Sequence, residues 1–153
     1  MIINILVAIT KRLIKTKLNK MEKEFVPYEL ALRLKALGFD EPCLGYYTHN
    51  EKLCRYGSNE INIEYLFCTH KDIYKTYSLA PTFSQAFIWF RENYGLWFRP
   101  DYYDDLKEYN FQGNIHKLGN FSSLADIGNY NTCEEAELAC LETLIEIVES
   151  ENK

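Results

Sequence analysis

Apolar residues first fall into a helical rhythm at Val26, Leu30, Leu34 and Leu37, and Pro27 suits a first helical turn because its missing N–H has no intrahelical partner there. This spacing predicts a helix over Pro27–Leu37, closed by Gly38 in a left-handed conformation with Phe39 folded back on Leu34. Asp40–Glu41–Pro42 then turns the chain. Strands are expected at Cys43–Tyr47 and Lys52–Tyr56, joined by a hairpin loop at Thr48–Glu51, with a second turn at Arg55–Asn59. Ile61, Ile63, Tyr65 and Phe67 alternate with Asn62, Glu64 and Leu66, the period-two pattern of a half-buried strand over Ile61–Thr69. Tyr74–Leu79 extends this antiparallel meander, and Ala80–Pro81 stops it.

A second helix is predicted over Thr82–Tyr94, its aromatic core face formed by Phe83, Ala86, Phe87, Phe90 and Tyr94. Thr82 and Gln85 stand at capping-box spacing, and Gly95 ends the helix. Leu96–Phe98 and Tyr109–Leu118 read as two further strands, and the Gly-, Asn- and Ser-rich stretch Gly119–Asn131 as a loop with one short helical turn. The last helix begins at Thr132, with Glu135 completing a second capping box and Glu134 also at the positive end of the dipole. It carries two apolar rows, Cys133/Ala136/Cys140/Leu144/Ile147 and Leu138/Leu141/Ile145/Val148. Its Glu135, Glu142, Glu146 and Glu149 face is expected in water. The order helix, three strands, helix, two strands, helix predicts an α+β fold. Its mainly antiparallel sheet of about five strands would be covered by three helices.

At 153 residues the chain fits one domain, and 47% hydrophobic with 25% charged residues excludes wholesale disorder. Charge is unevenly placed. Five of the 17 basic side chains (Lys11, Arg12, Lys15, Lys17 and Lys20) fall in residues 1–20, and none of the 22 acidic ones does. The body at 21–153 is therefore strongly acidic, which disfavours nucleic-acid binding. Residues 1–20 have their positive charges after the apolar stretch, opposite to a secretory signal, and no apolar run is long enough to span a bilayer. As a helix this segment would align Ile2, Leu6, Ile9 and Leu13 against a basic side, suiting weak contact with an interface or a partner. Two readings stay open for it: a disordered basic extension, or sequence upstream of a natural start at Met21.

Phosphate-binding glycine loops, a GxSxG nucleophile elbow and HExxH are all absent. The five cysteines form no CxxC pair and read as reduced thiols. Cys43, His49, Cys54, Cys68 and His70 match no zinc spacing, and Asp101, Asp104 and Asp105 lack calcium-loop spacing, so no metal and no cofactor is expected. Cys68 and His70 could pair as thiolate and base on one strand face, but nothing supplies an oxyanion hole or an orienting acid.

The densest chemistry lies in QAFIWFRENYGLWFRPDYY, residues 85–103. With the aromatic row buried, Gln85, Trp89 and Glu92 point elsewhere, and Arg91 and Arg99 stand beside large aromatics in a body poor in bases. Gln85, Trp89, Arg91, Arg99 and Tyr102 are the candidate ligand- or partner-binding residues, since Trp, Tyr and Arg dominate interface hot spots and stack on planar ligands. The competing structural reading puts Trp89 under a neighbouring loop and Arg91 on a surface carboxylate.

From Phe25 onward the chain resembles a group of small proteins encoded by gut Bacteroidetes and their phages, crAss-like phages among them. The resemblance lies in FVPYELALRLKALGFDEPCLGYY (25–47), APTFSQAFIWFRENYGL (80–96) and NTCEEAELACLETLIEIV (131–148). It implies a phage or mobile-element accessory protein of the bacterial cytoplasm and carries no assigned activity. Two functions follow as expectations. The preferred one is a non-catalytic module that binds a host or phage protein, with self-association into a homodimer as an option. The alternative is a protein that binds or sequesters a nucleotide-like small molecule, or a small enzyme.

Overall fold

A computed structural model describes residues 22–55, 67–105, 108–119 and 123–152, with the backbone alone for 100–105 and 108–110. The element order is α1 (Tyr28–Ala36), β1 (Gly45–Tyr47), β2 (Leu53–Arg55), β3 (Ser78–Ala80), α2 (Phe83–Tyr94), β4 (Leu96–Asp105), β5 (Glu108–Lys117), β6 (Ser123–Tyr130) and α3 (Cys133–Glu151). The class is α+β, as expected. Among the described residues, the single sheet of about five strands is corrected to two antiparallel sheets of three, ordered β2–β1–β3 and β4–β5–β6. The expected turn at 55–59 and most of the strand at 61–69 lie outside the described residues, as do residues 1–20.

Helix ends follow their local chemistry. Pro27 opens α1, and at its close Gly38 takes φ +94° while the Phe39 amide donates to the Leu34 carbonyl at 3.0 Å. Both capping boxes form, Thr82 with Gln85 on α2 and Thr132 with Glu135 on α3. Gly95 ends α2 at φ +65°.

Strand pairing brought the surprises. β4 runs well beyond Phe98 because it pairs with β5 from Leu96 opposite Lys117 to Asp105 opposite Glu108. Pro100 is tolerated within it because β4 is an edge strand, where a missing amide breaks no ladder on the open side. The stretch read as a loop contains β6. Its pairing with β5 slips between Gly113 and Asn114 and again between Ile115 and His116, and Gly128 at φ +94° fits a bulge. These irregularities hide the period-two pattern.

The core gathers around α3, which packs against β4, β5, β6, α1 and α2. Ala136, Cys140, Leu141, Leu144, Ile145 and Val148 are buried along it. Glu149, expected in water, instead accepts two hydrogen bonds from Arg33, Nε to Oε1 at 3.0 Å and Nη2 to Oε2 at 2.7 Å, tying α1 to α3. Both side chains remain about one-third exposed (33% and 36%), so the pair is worth at most about 1 kcal/mol. Among the described residues no helix is long and apolar enough to cross a membrane.

Candidate functional site

The extended segment before α1 lies antiparallel to the start of α2. The Phe83 amide donates to the Glu24 carbonyl at 3.0 Å, and the Val26 amide to that of Pro81 at 2.9 Å. This pairing sets Phe25 and Pro27 beside Phe83, next to Tyr47 of β1 and the first two turns of α3. Between them opens a cleft of about 490 Å³, lined by Phe25, Pro27, Tyr47, Phe83 and Leu138 with Glu22, Lys23, Thr132 and Glu134.

The two hydroxyls in the lining are already engaged. The Tyr47 hydroxyl donates to the Val26 carbonyl at 2.7 Å, and burial pushes its pKa up to about 12, so it presents only its ring. The Thr132 hydroxyl accepts from the Glu135 amide at 3.2 Å. What the cleft offers is therefore apolar contact and charge. Glu22 and Glu134 outnumber Lys23 on the lining. Glu137 is half-buried on α3 beside them, and burial, then the fields of Glu24 and Glu134, raise the pKa of its carboxyl.

A raised carboxyl pKa means that the folded state holds a proton the unfolded chain has lost, so stability falls as pH rises from the ordinary carboxylate range through the raised value. We expect Glu137→Gln to stabilise the fold at pH 7, with the advantage vanishing at pH values low enough to protonate both states. Urea unfolding of the two proteins at matched pH checks this. A Gln variant that is less stable at pH 7 would show that the ionised carboxylate has a favourable partner.

Two of the residues expected to form a site, Trp89 and Gln85, are committed to the fold. Trp89 is only 5% exposed and packs edge-on to Phe39 at 5.5 Å, and against Phe90 and Tyr94. It faces the core rather than a ligand, because the turn after α1 covers this side of α2. Gln85 is spent on structure: its Oε1 accepts from the Thr82 amide at 3.0 Å and its Nε2 donates to the Pro42 carbonyl at 2.8 Å. Arg91 is exposed, but two residues beyond Trp89 it lies about 200° around the helix, so those two do not converge. Arg99 is exposed on β4 opposite Asn114, and Tyr102 pairs with Phe111 along the same strand. Trp97 lies half-buried over the ring of His116 at 5.0 Å.

The cleft residues were missed for physical reasons. Phe25 belongs to no periodic element, and Glu134 reads equally well as a charge placed against the helix dipole. A second aromatic surface was also missed. Tyr77 stacks on Tyr46 at 5.5 Å and on His49 at 6.3 Å, and meets Tyr74 edge-on, bringing two stretches of chain, 46–49 and 74–77, together.

Burial disfavours the thiolate at Cys43, Cys68, Cys133 and Cys140. Burial pushes Cys68 up to about 11, and its Sγ donates to the Cys43 carbonyl at 3.4 Å, so no thiolate is present for His70 to pair with at neutral pH. Burial raises Cys140 to about 12 and raises Cys43 and Cys133 as well. Among the described residues no group of three or more His, Cys, Asp or Glu side chains could hold a metal ion.

No protein family, curated protein or solved structure matches this chain.

Proposed function

We propose that the chain is a non-catalytic protein-binding module. Its cleft receives a partner segment in which apolar and basic side chains adjoin. The observation that carries this reading is the cleft itself, an apolar floor of Phe25, Pro27, Tyr47, Phe83 and Leu138 under a rim where Glu22 and Glu134 outnumber Lys23. Its volume of about 490 Å³ lies in the range of pockets that enclose small ligands or several side chains. The acidic rim opposes an anionic, nucleotide-like ligand and favours a cationic one. The resemblance of residues 25–47, 80–96 and 131–148 adds to the proposal that the partner is a host or phage protein of the bacterial cytoplasm.

The test uses a fluorescein-labelled 15-residue peptide with Leu at helical spacing and Lys elsewhere, and a control in which Glu replaces Lys. Anisotropy should show the Lys peptide binding and the Glu peptide failing. Leu138→Ser and Glu134→Lys should each weaken the Lys peptide about tenfold, the equivalent of about 1.4 kcal/mol. Equal binding of both peptides, or indifference to both substitutions, rejects the reading.

A further inference from the structure

We infer that the chain carries its own first ligand for this cleft, and that residues 1–20 occupy it in cis as a competitor of the partner. The inference rests on the binding reading above and adds its regulation. Three observations carry it. Residues 1–20 supply the chemistry the cleft asks for, with Ile2, Leu6, Ile9 and Leu13 at helical spacing among Lys11, Arg12, Lys15, Lys17 and Lys20, and no acid. The cleft has the complementary character, an apolar floor with Glu22 and Glu134 on its lining and Glu24 and Glu137 beside them. The chain also enters the described fold at Glu22, which itself lines the cleft.

Geometry makes the competition effective. Lys15 is seven residues from Glu22, a reach of roughly 23 Å at full extension, which is enough to turn back over the rim. A short tether of this kind sets an effective concentration on the order of millimolar. Even weak contacts then keep the cleft filled, and a partner must compete. Charge separates this occupant from the other parts of the chain. The five bases of residues 1–20 have no acid among them, whereas the body holds all 22 acidic side chains.

Two measurements on the full 153-residue chain decide the matter. Zero-length carbodiimide coupling joins a lysine amine only to a carboxylate it touches. Peptide mass spectrometry of the monomer-sized product should find Lys11 or Lys15 joined to Glu134 or Glu137. Links confined to the sequence neighbours Glu22 and Glu24 overturn the inference, and so does a dimer-sized product, which would assign the cleft to the segment of a second copy.

In the second measurement, all five bases are changed together (Lys11→Glu, Arg12→Glu, Lys15→Glu, Lys17→Glu, Lys20→Glu). Release of the cleft should strengthen binding of the Leu/Lys peptide at least tenfold. Unchanged affinity overturns self-occupancy while the binding reading stands. A peptide that binds neither protein rejects the binding reading, and the cross-links still decide whether residues 1–20 sit in the cleft.

Discussion

Trp89→Ala should cost the fold about 3–5 kcal/mol, as large-to-small changes of buried aromatics do. The indole is 5% exposed and sits where three aromatic rings converge: Phe39 from the turn after α1, and Phe90 and Tyr94 from its own helix. Truncation opens a cavity between α2 and the turn after α1 and removes the edge-on contacts, each worth about 0.5–1.5 kcal/mol beyond area. For a chain of this size the melting temperature should fall by about 6–20 °C. Circular dichroism during heating and in urea measures both quantities. A surface tryptophan would change stability by less than about 0.5 kcal/mol. A result of that size would return Trp89 to the role of an exposed binding residue, so the experiment separates the two readings of residues 85–103.

Gly113→Ala is the second large effect, and it arises from space rather than backbone conformation. Gly113 lies on β5 where α3 crosses, and an added methyl group there would run into the Cys140 Sγ, with Ile127 at 3.4 Å behind it. Overpacking of this kind costs about 1–3 kcal/mol. The cause can be isolated by a double-mutant cycle. Once Cys140→Ala has removed the sulfur, the alanine at 113 should be accommodated with most of its cost recovered. A coupling energy of about 1 kcal/mol or more is expected for residues in direct contact. Additive effects would mean that the collision relaxes elsewhere, and that α3 does not need so close an approach to β5.

Legibility of the fold from its sequence tracked the distance over which each feature is determined. Thr82 with Gln85, Thr132 with Glu135, and the Gly38–Phe39 ending of α1 were all readable, since every partner lies within a few residues. β6 was unreadable because its bulged register with β5 erases the alternation that marks a strand. The split into two sheets was equally hidden. Nothing local says that Ser78–Ala80 pairs with β1 while, among the described residues, the strands after α2 pair with one another.

The candidate site shows the same division. The sequence located the aromatic wealth of α2 but left its outer side open between a binding surface and burial under a neighbouring loop, because the row from Phe83 to Tyr94 already filled one helix face. Phe39 arrives from fifty residues earlier and closes over Trp89. The cleft depends on still more distant meetings, with Phe25, Tyr47, Phe83 and Leu138 drawn from four segments whose chemistry is unremarkable alone.

By itself, then, the amino-acid order determined the helices, their caps, the α+β class and the opposition between a basic start and an acidic body. These depend on composition and on neighbours within one or two helical turns. Tertiary structure alone decided which side of α2 is covered, how the six described strands divide between two sheets, and where an apolar floor meets an acidic rim. Those are outcomes of contacts between residues tens of positions apart, formed because burying apolar surface rewards whichever distant faces fit together.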